Sequence, residues 1–236
     1  MEGFTYTNIF ETKGIEYLII LAFFAVLIPI WTLLNRKAKP AAIVQKNDGF
    51  IAASSFNVPQ GIFFSRYHTW AHLEKNGEAK IGLDDMLLYL TGEVKVIFLK
   101  SPGETVEKGE FLARVHYNGN NLKVASPVSG TLQSSNELIT NNPGLLKNDP
   151  YQRGWICSLK PDKWKADTDS CFLAEDATQW ATEELNKFKE FLSYAAVKTD
   201  TGTLQVVMQD GGEIAENALT FFPHEVWIDF EEKFLS

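Results

Sequence analysis

The stretch from Gly109 to Gly130, GEFLARVHYNGNNLKVASPVSG, restricts the fold of this chain more than any other. Phe111 to Val115 is an apolar-rich run of strand type, and Leu122-Lys123-Val124 is its return partner. Between them sits Asn118-Gly119. A tight hairpin turn needs positive φ at its central residues, and Asn and Gly tolerate that conformation best. Ser126-Pro127-Val128-Ser129-Gly130 then turns the chain again. The stretch predicts a β-hairpin inside a β-rich domain.

The surrounding sequence extends this pattern. Ala79-Lys80-Ile81-Gly82 starts a return strand after the polar turn Glu74-Lys75-Asn76-Gly77-Glu78. Asp84 to Leu90 reads as a short helix, with Asp84 as its cap and Met86, Leu87 and Leu90 on its apolar side. Glu93 to Leu99, Thr131 to Leu138 and Trp155 to Leu159 read as further strands, the last stopped by Lys160-Pro161. Short strands with frequent turns suit a small closed or sandwich-like barrel.

Several segments carry a family resemblance. Pro102 to Glu110 resembles the turn-strand-turn before a lipoyl or biotinyl attachment hairpin. Tyr67-His68-Thr69-Trp70 and Ile81 to Asp85 precede it, and Ser126 to Gly130, Asn141 to Leu145, Asn148 to Tyr151 and Gly154-Trp155 follow it in order. Together they resemble the H protein of the glycine cleavage system over about residues 61–161. The resemblance implies a barrel-sandwich hybrid fold.

That family carries its lipoyl group on a lysine at the hairpin tip. The ungapped resemblance puts Gly119 at this position, preceded by His116-Tyr117-Asn118. The nearest lysine, Lys123, falls on the return strand, where an arm would lose its reach. No lipoate or other cofactor is therefore expected. Tyr117, Asn118, Gly119 and Asn120 become a tip for docking rather than for carrying.

Residues 1–14 are short and mixed, and an extracytoplasmic N-terminus is expected there. Tyr17 to Leu34, YLIILAFFAVLIPIWTLL, contains no charged residue. With its flanks, residues 15–35, it predicts a transmembrane helix. The acidic N-terminal flank and the lack of an A-x-A-like site disfavour a cleaved signal peptide. Pro29 is tolerated in a membrane helix, and Tyr17 and Trp31 lie near the ends, as interfacial aromatics do. Arg36, Lys37 and Lys39 follow directly, so the positive-inside rule puts the C-terminal side in the cytoplasm of a bacterial-type plasma membrane. Residues 36–60 read as a linker.

Residues 162–236 form an α+β extension. Trp180, Leu185, Phe188, Phe191, Leu192 and Ala195 recur at helical spacing within a helix of about 174–197, with Glu183 and Lys187 as an i,i+4 pair. Thr203 to Met208 reads as a strand. Phe221 to Phe230 concentrates aromatic residues near the end of the chain; it either covers the domain or forms an interface.

The formal net charge of −8 over 236 residues argues against nucleic acid as the main partner. Cys157 and Cys171 have no metal-ligand spacing and are expected as free thiols. His68 and His72 would share a face if they lay on one strand, but no third metal ligand is near. No Walker loop, zinc CxxC pair, nucleophile elbow or nucleophile–base pair is present. The expected fold is mainly β with α: one transmembrane helix, an H-protein-like barrel-sandwich hybrid, and the extension. The expected role is a non-catalytic subunit that meets the lipid bilayer and other subunits of a membrane redox complex, with no small-molecule substrate. The alternative is a membrane-tethered lipoyl carrier.

Overall fold

The computed structural model describes residues 9–34, 50–51, 57–199 and 214–236. The chain divides into two compact units, residues 1–46 and 47–236.

The first unit contains helix α1, Ile9–Leu34, which runs through Pro29. The side chains from Tyr17 to Trp31 are exposed all round the helix. At 1.5 Å per residue, this fifteen-residue stretch rises only about 22 Å. Among the described residues no helix is long and apolar enough to cross a membrane. The expected transmembrane helix is thus found as a helix, not as a span. Arg36, Lys37 and Lys39 lie outside the described residues.

The second unit is a β-sandwich with helices. Strand β1, Phe50–Ile51, pairs with β11, Ile214–Ala215. Next come β2 (Phe63–Phe64), β3 (Thr69–Leu73), β4 (Ala79–Leu83), helix α2 (Asp85–Thr91), β5 (Lys95–Phe98) and β6 (Thr105–Val106). The hairpin is β7 (Phe111–Tyr117) and β8 (Asn120–Ala125), and β9 is Gly130–Ser135. Two short helices, α3 (Glu137–Asn141) and α4 (Gly144–Asn148), lead to β10 (Trp155–Pro161). Helix α5 is Trp164–Thr168, α6 is Glu175–Thr199, and α7 is His224–Phe234.

One antiparallel sheet has the order β2-β3-β4-β10-β9-β6, and a second has β5-β7-β8. Their buried faces enclose a single core that includes Trp70, Ile81, Leu122, Val128 and Ile156. The residues after 161 enter the same core through Trp180, Phe188, Leu192, Trp227 and Phe230. The expected helix at 174–197 is α6, and its predicted apolar stripe is its buried side. Glu183 does not meet Lys187; Lys187 pairs with Glu184 at 2.8 Å instead, while Gln179 donates to Glu183. The strand expected at 203–208 lies outside the described residues. The aromatic tail, expected without a secondary structure, forms a short 3-10 turn and then α7.

Trp70 holds the centre of the larger sheet. It is fully buried, and its Nε1 donates to Leu83 O at 2.9 Å. It lies across from Gly82 in the β3–β4 register. A Cβ at Gly82 would approach the indole within 2.5 Å, so a glycine is required where the ring crosses the neighbouring strand. Gly82→Ala is therefore expected to cost about 1–3 kcal/mol by overpacking, read as a lowered urea midpoint with an unchanged denaturant slope.

Candidate functional site

The hairpin tip is built as the sequence requires. Asn118 has φ +43° and Gly119 has φ +88°, the left-handed pair that a two-residue turn uses. Tyr117 pairs with Asn120 across the turn, His116 with Asn121, and Arg114 with Lys123. His116 Nδ1 donates to Asn121 Oδ1 at 3.0 Å. Asn118 and Gly119 are exposed, and no heavy atom lies within 4 Å of the place where a Gly119 side chain would begin. Lys123 sits mid-strand, with its side chain 42 % exposed.

Helix α7 lies against this hairpin. The Trp227 ring stacks on Tyr117 with centroids 5.9 Å apart and planes 7° from parallel. His224 Nδ1 donates to Asn120 Oδ1 at 2.8 Å. Glu231 takes Lys123 from two sides: it accepts from the backbone N–H at 2.9 Å, and pairs with Nζ at 3.1 Å. Lys123 Nζ also lies 5.1 Å from the centre of the Phe111 ring. Trp227, Phe230 and Phe234 are buried, and Phe230 and Phe234 pack with Phe188 and Phe191 of α6. Burial of each such ring is worth about 2–3 kcal/mol, whereas a part-exposed ion pair is worth about 0–1 kcal/mol. Apolar packing therefore holds α7 in place, and the polar contacts set its register on the hairpin. Trp227 Nε1 is buried with no hydrogen-bond partner, the one polar defect of this contact among the described residues.

A second cluster lies at the start of β3. His68 has φ +57° and is fully buried, just before the strand rather than on it. Its Nδ1 is 2.8 Å from Asp84 Oδ2, and its Nε2 is 3.7 Å from Glu184 Oε1. The second distance is too long for a hydrogen bond but suits an ion pair. Burial works against the charged imidazole, yet the Asp84 and Glu184 carboxylates outweigh it and raise its pKa to about 9. Asp84 also caps α2, accepting from Leu87 N at 2.8 Å. His72 is elsewhere, on β3, where its Nδ1 donates to Gly61 O at 3.0 Å. The two histidines that alternation would place on one face are thus separated, because the chain turns at His68. No group of residues able to hold a metal occurs among the described residues.

Neither cluster presents an activated nucleophile. Cys157 is buried and its thiol is pushed up to about 12 by burial. Cys171 is part-buried at a cleft of about 740 Å³, and burial raises its pKa too. Both cysteines are free. Both remain thiols near neutral pH and are poorly nucleophilic.

The fold and the tip together define a small β-sandwich module organised around one tight, exposed hairpin. The glycine cleavage H-protein family matches residues 62–184, 123 of the 236 residues. The chain belongs to that family. The glycine cleavage system H protein 4 of Aquifex aeolicus is 29% identical over 128 residues, covering 54% of this chain and 74% of that one. A glycine cleavage system H protein of Prochlorococcus marinus is 34% identical over 108 residues, covering 46% and 83%. A solved H protein from Mycobacterium marinum is 24% identical, with a TM-score of 0.41, covering 44% of this chain and 86% of that one. Helix α7, which contacts the tip, lies beyond the matched residues.

Sequence reasoning missed the His68–Asp84–Glu184 cluster and left the role of α7 open. Asp84 was legible as a helix cap, but no local signal ties it to a residue a hundred positions away. Two outcomes are expected. His68 binds its proton more tightly folded than unfolded, so its contribution to stability is complete below about pH 6.5 and is lost as pH rises through about 9. His68→Gln should remove this pH dependence and cost about 3–5 kcal/mol near neutral pH, as measured by urea unfolding at several pH values. Trp227→Ala should cost about 3–5 kcal/mol, and Glu231→Gln only about 1 kcal/mol, in the same assay.

Proposed function

We propose that this chain is a non-catalytic docking module of the H-protein family, anchored in a membrane by α1, whose hairpin carries no lipoyl arm. One observation carries the reading: the tip is an Asn118–Gly119 turn without an amine, and the nearest lysine, Lys123, is held by Glu231. A swinging arm needs a free anchor at an exposed tip. The left-handed turn favours Asn and Gly and strains other side chains, so this tip is optimised for tightness.

The membrane part rests on the apolar character of α1. The described side chains fall short of a span, but the uncharged run continues in the sequence to Leu34, the end of the helix. Its eighteen residues rise about 27 Å, at the short end of the range for an apolar run that spans. A helix whose Leu, Ile and Phe side chains are exposed on every side has no favourable solvent in water. The basic residues Arg36, Lys37 and Lys39 favour a cytoplasmic second unit in a bacterial-type plasma membrane. The proposed partners are the bilayer and other subunits of a membrane complex.

The second reading is a membrane-tethered lipoyl carrier. The relatives named as glycine cleavage H proteins, at 29% and 34% identity, favour it. Intact mass spectrometry of the full chain from its native membrane separates the two. An unmodified mass is expected. A lipoyl-sized increase on Lys123 or another lysine would make the chain a carrier. Membrane fractionation tests the anchor: the full chain should resist extraction by carbonate and yield to detergent, and extraction by carbonate alone would refute it.

A further inference from the structure

The outward face of the β5-β7-β8 sheet differs from the rest of this acidic protein. The chain has 30 Asp and Glu residues, yet none falls in these three strands, KVIF, FLARVHY and NNLKVA. The register sets Lys95, His116 and Asn121 in one row, and Ile97, Arg114 and Lys123 in the next. Leu99 follows, its N–H donating to Leu112 O. Phe111 stands on the same side, shifted outward by the bulge between Phe111 and Ala113 and marked by Lys123 above its ring.

The apolar members are open to solvent: Ile97 is 49% exposed, Leu99 40% and Phe111 37%. Lys95 and Arg114 are exposed too, and neither has an ion pair among the described residues. Glu231 reaches only the far edge, at Lys123. The result is a patch in which cations and apolar side chains are interspersed.

We infer that this sheet face docks a partner protein through an acidic surface studded with apolar side chains. The inference rests on the docking role proposed above and names the partner's chemistry. Charge complementarity is its main argument. A partner carrying Asp or Glu opposite Lys95 and Arg114 is attracted to this patch and repelled by most of the remaining surface, so it is steered to one orientation. Ile97, Leu99 and Phe111 supply the apolar contact that charge alone does not. An anionic bilayer fits less well. The net charge of −8 opposes approach to it, and the three apolar side chains are only part-exposed, at 37–49%.

The test is site-specific photo-crosslinking of the full-length chain in its native membrane, with a benzophenone amino acid replacing Ile97, Phe111 or, on α6, the exposed Thr182. Crosslinks to an Asp- and Glu-rich protein segment are expected at Ile97 and Phe111. Lys95→Glu with Arg114→Glu should lower their yield about tenfold or more, with unchanged thermal unfolding. Lipid adducts, no protein adduct at Ile97 and Phe111, or a yield indifferent to charge reversal would overturn the inference. Protein adducts at Thr182 alone would overturn it while leaving the docking role standing. A lipoyl mass on a lysine would instead overturn the proposed function.

Discussion

The second unit depends on one buried carboxylate. Asp84 is 2% exposed and uses both of its oxygens. Oδ1 accepts from Leu87 N and starts α2, while Oδ2 holds His68 at the entry to β3. Through His68 the same charge reaches Glu184 on α6 and, beyond it, Lys187. An unpaired carboxylate at this depth would be strongly destabilising, and so would an unpaired imidazolium. Each makes the other tolerable, and the pair fixes where the sheet, α2 and α6 meet. Packing then follows: Trp180 and Phe188 lie against the His68 ring at 5.3 and 5.1 Å. Asp85, the next residue, feels the crowding. Burial and the neighbouring Asp84 charge raise its pKa to about 6, although the Tyr151 hydroxyl donates to it at 2.8 Å.

Local signals carried most of the fold. The Asn118–Gly119 turn, the Asp84 cap and the helical spacing of α6 each follow from interactions within a few residues, and each is found as expected. The closing strand is found as well, but it continues through Pro161, which sits at its end, where the ladder needs no further donor. The unforeseen features are the long-range ones. Nothing near His68 announces that the chain turns there, so strand alternation put His68 and His72 on one face. Nothing in Phe221 to Phe230 says that Trp227 covers the hairpin and Phe230 packs on α6 rather than on a partner. Those outcomes depend on contacts between residues far apart in the chain, which periodicity cannot supply.

For the hairpin, the sequence located the tip but not its cover. Tyr117 and Asn120, read as tip residues open for docking, spend part of their surface on Trp227 and His224. Asn118 and Gly119 keep theirs. The open part of the hairpin is thus the turn itself and the broad side of the sheet, not the flank under α7.

The residues after β10 also do something that neither docking nor carrying requires. Phe172 exchanges two backbone hydrogen bonds with Phe64, closing the outer side of β2. At the other sheet, the Glu231 carboxylate takes the outward N–H of Lys123 on β8. Strand edges left bare recruit strands from other molecules, and here the extension blunts one edge with backbone and another with a carboxylate. A chain cut before Phe172 would therefore fail by joining its neighbours edge to edge, as growing β-sheet assemblies do, and a cut before α7 would free the β8 edge alone.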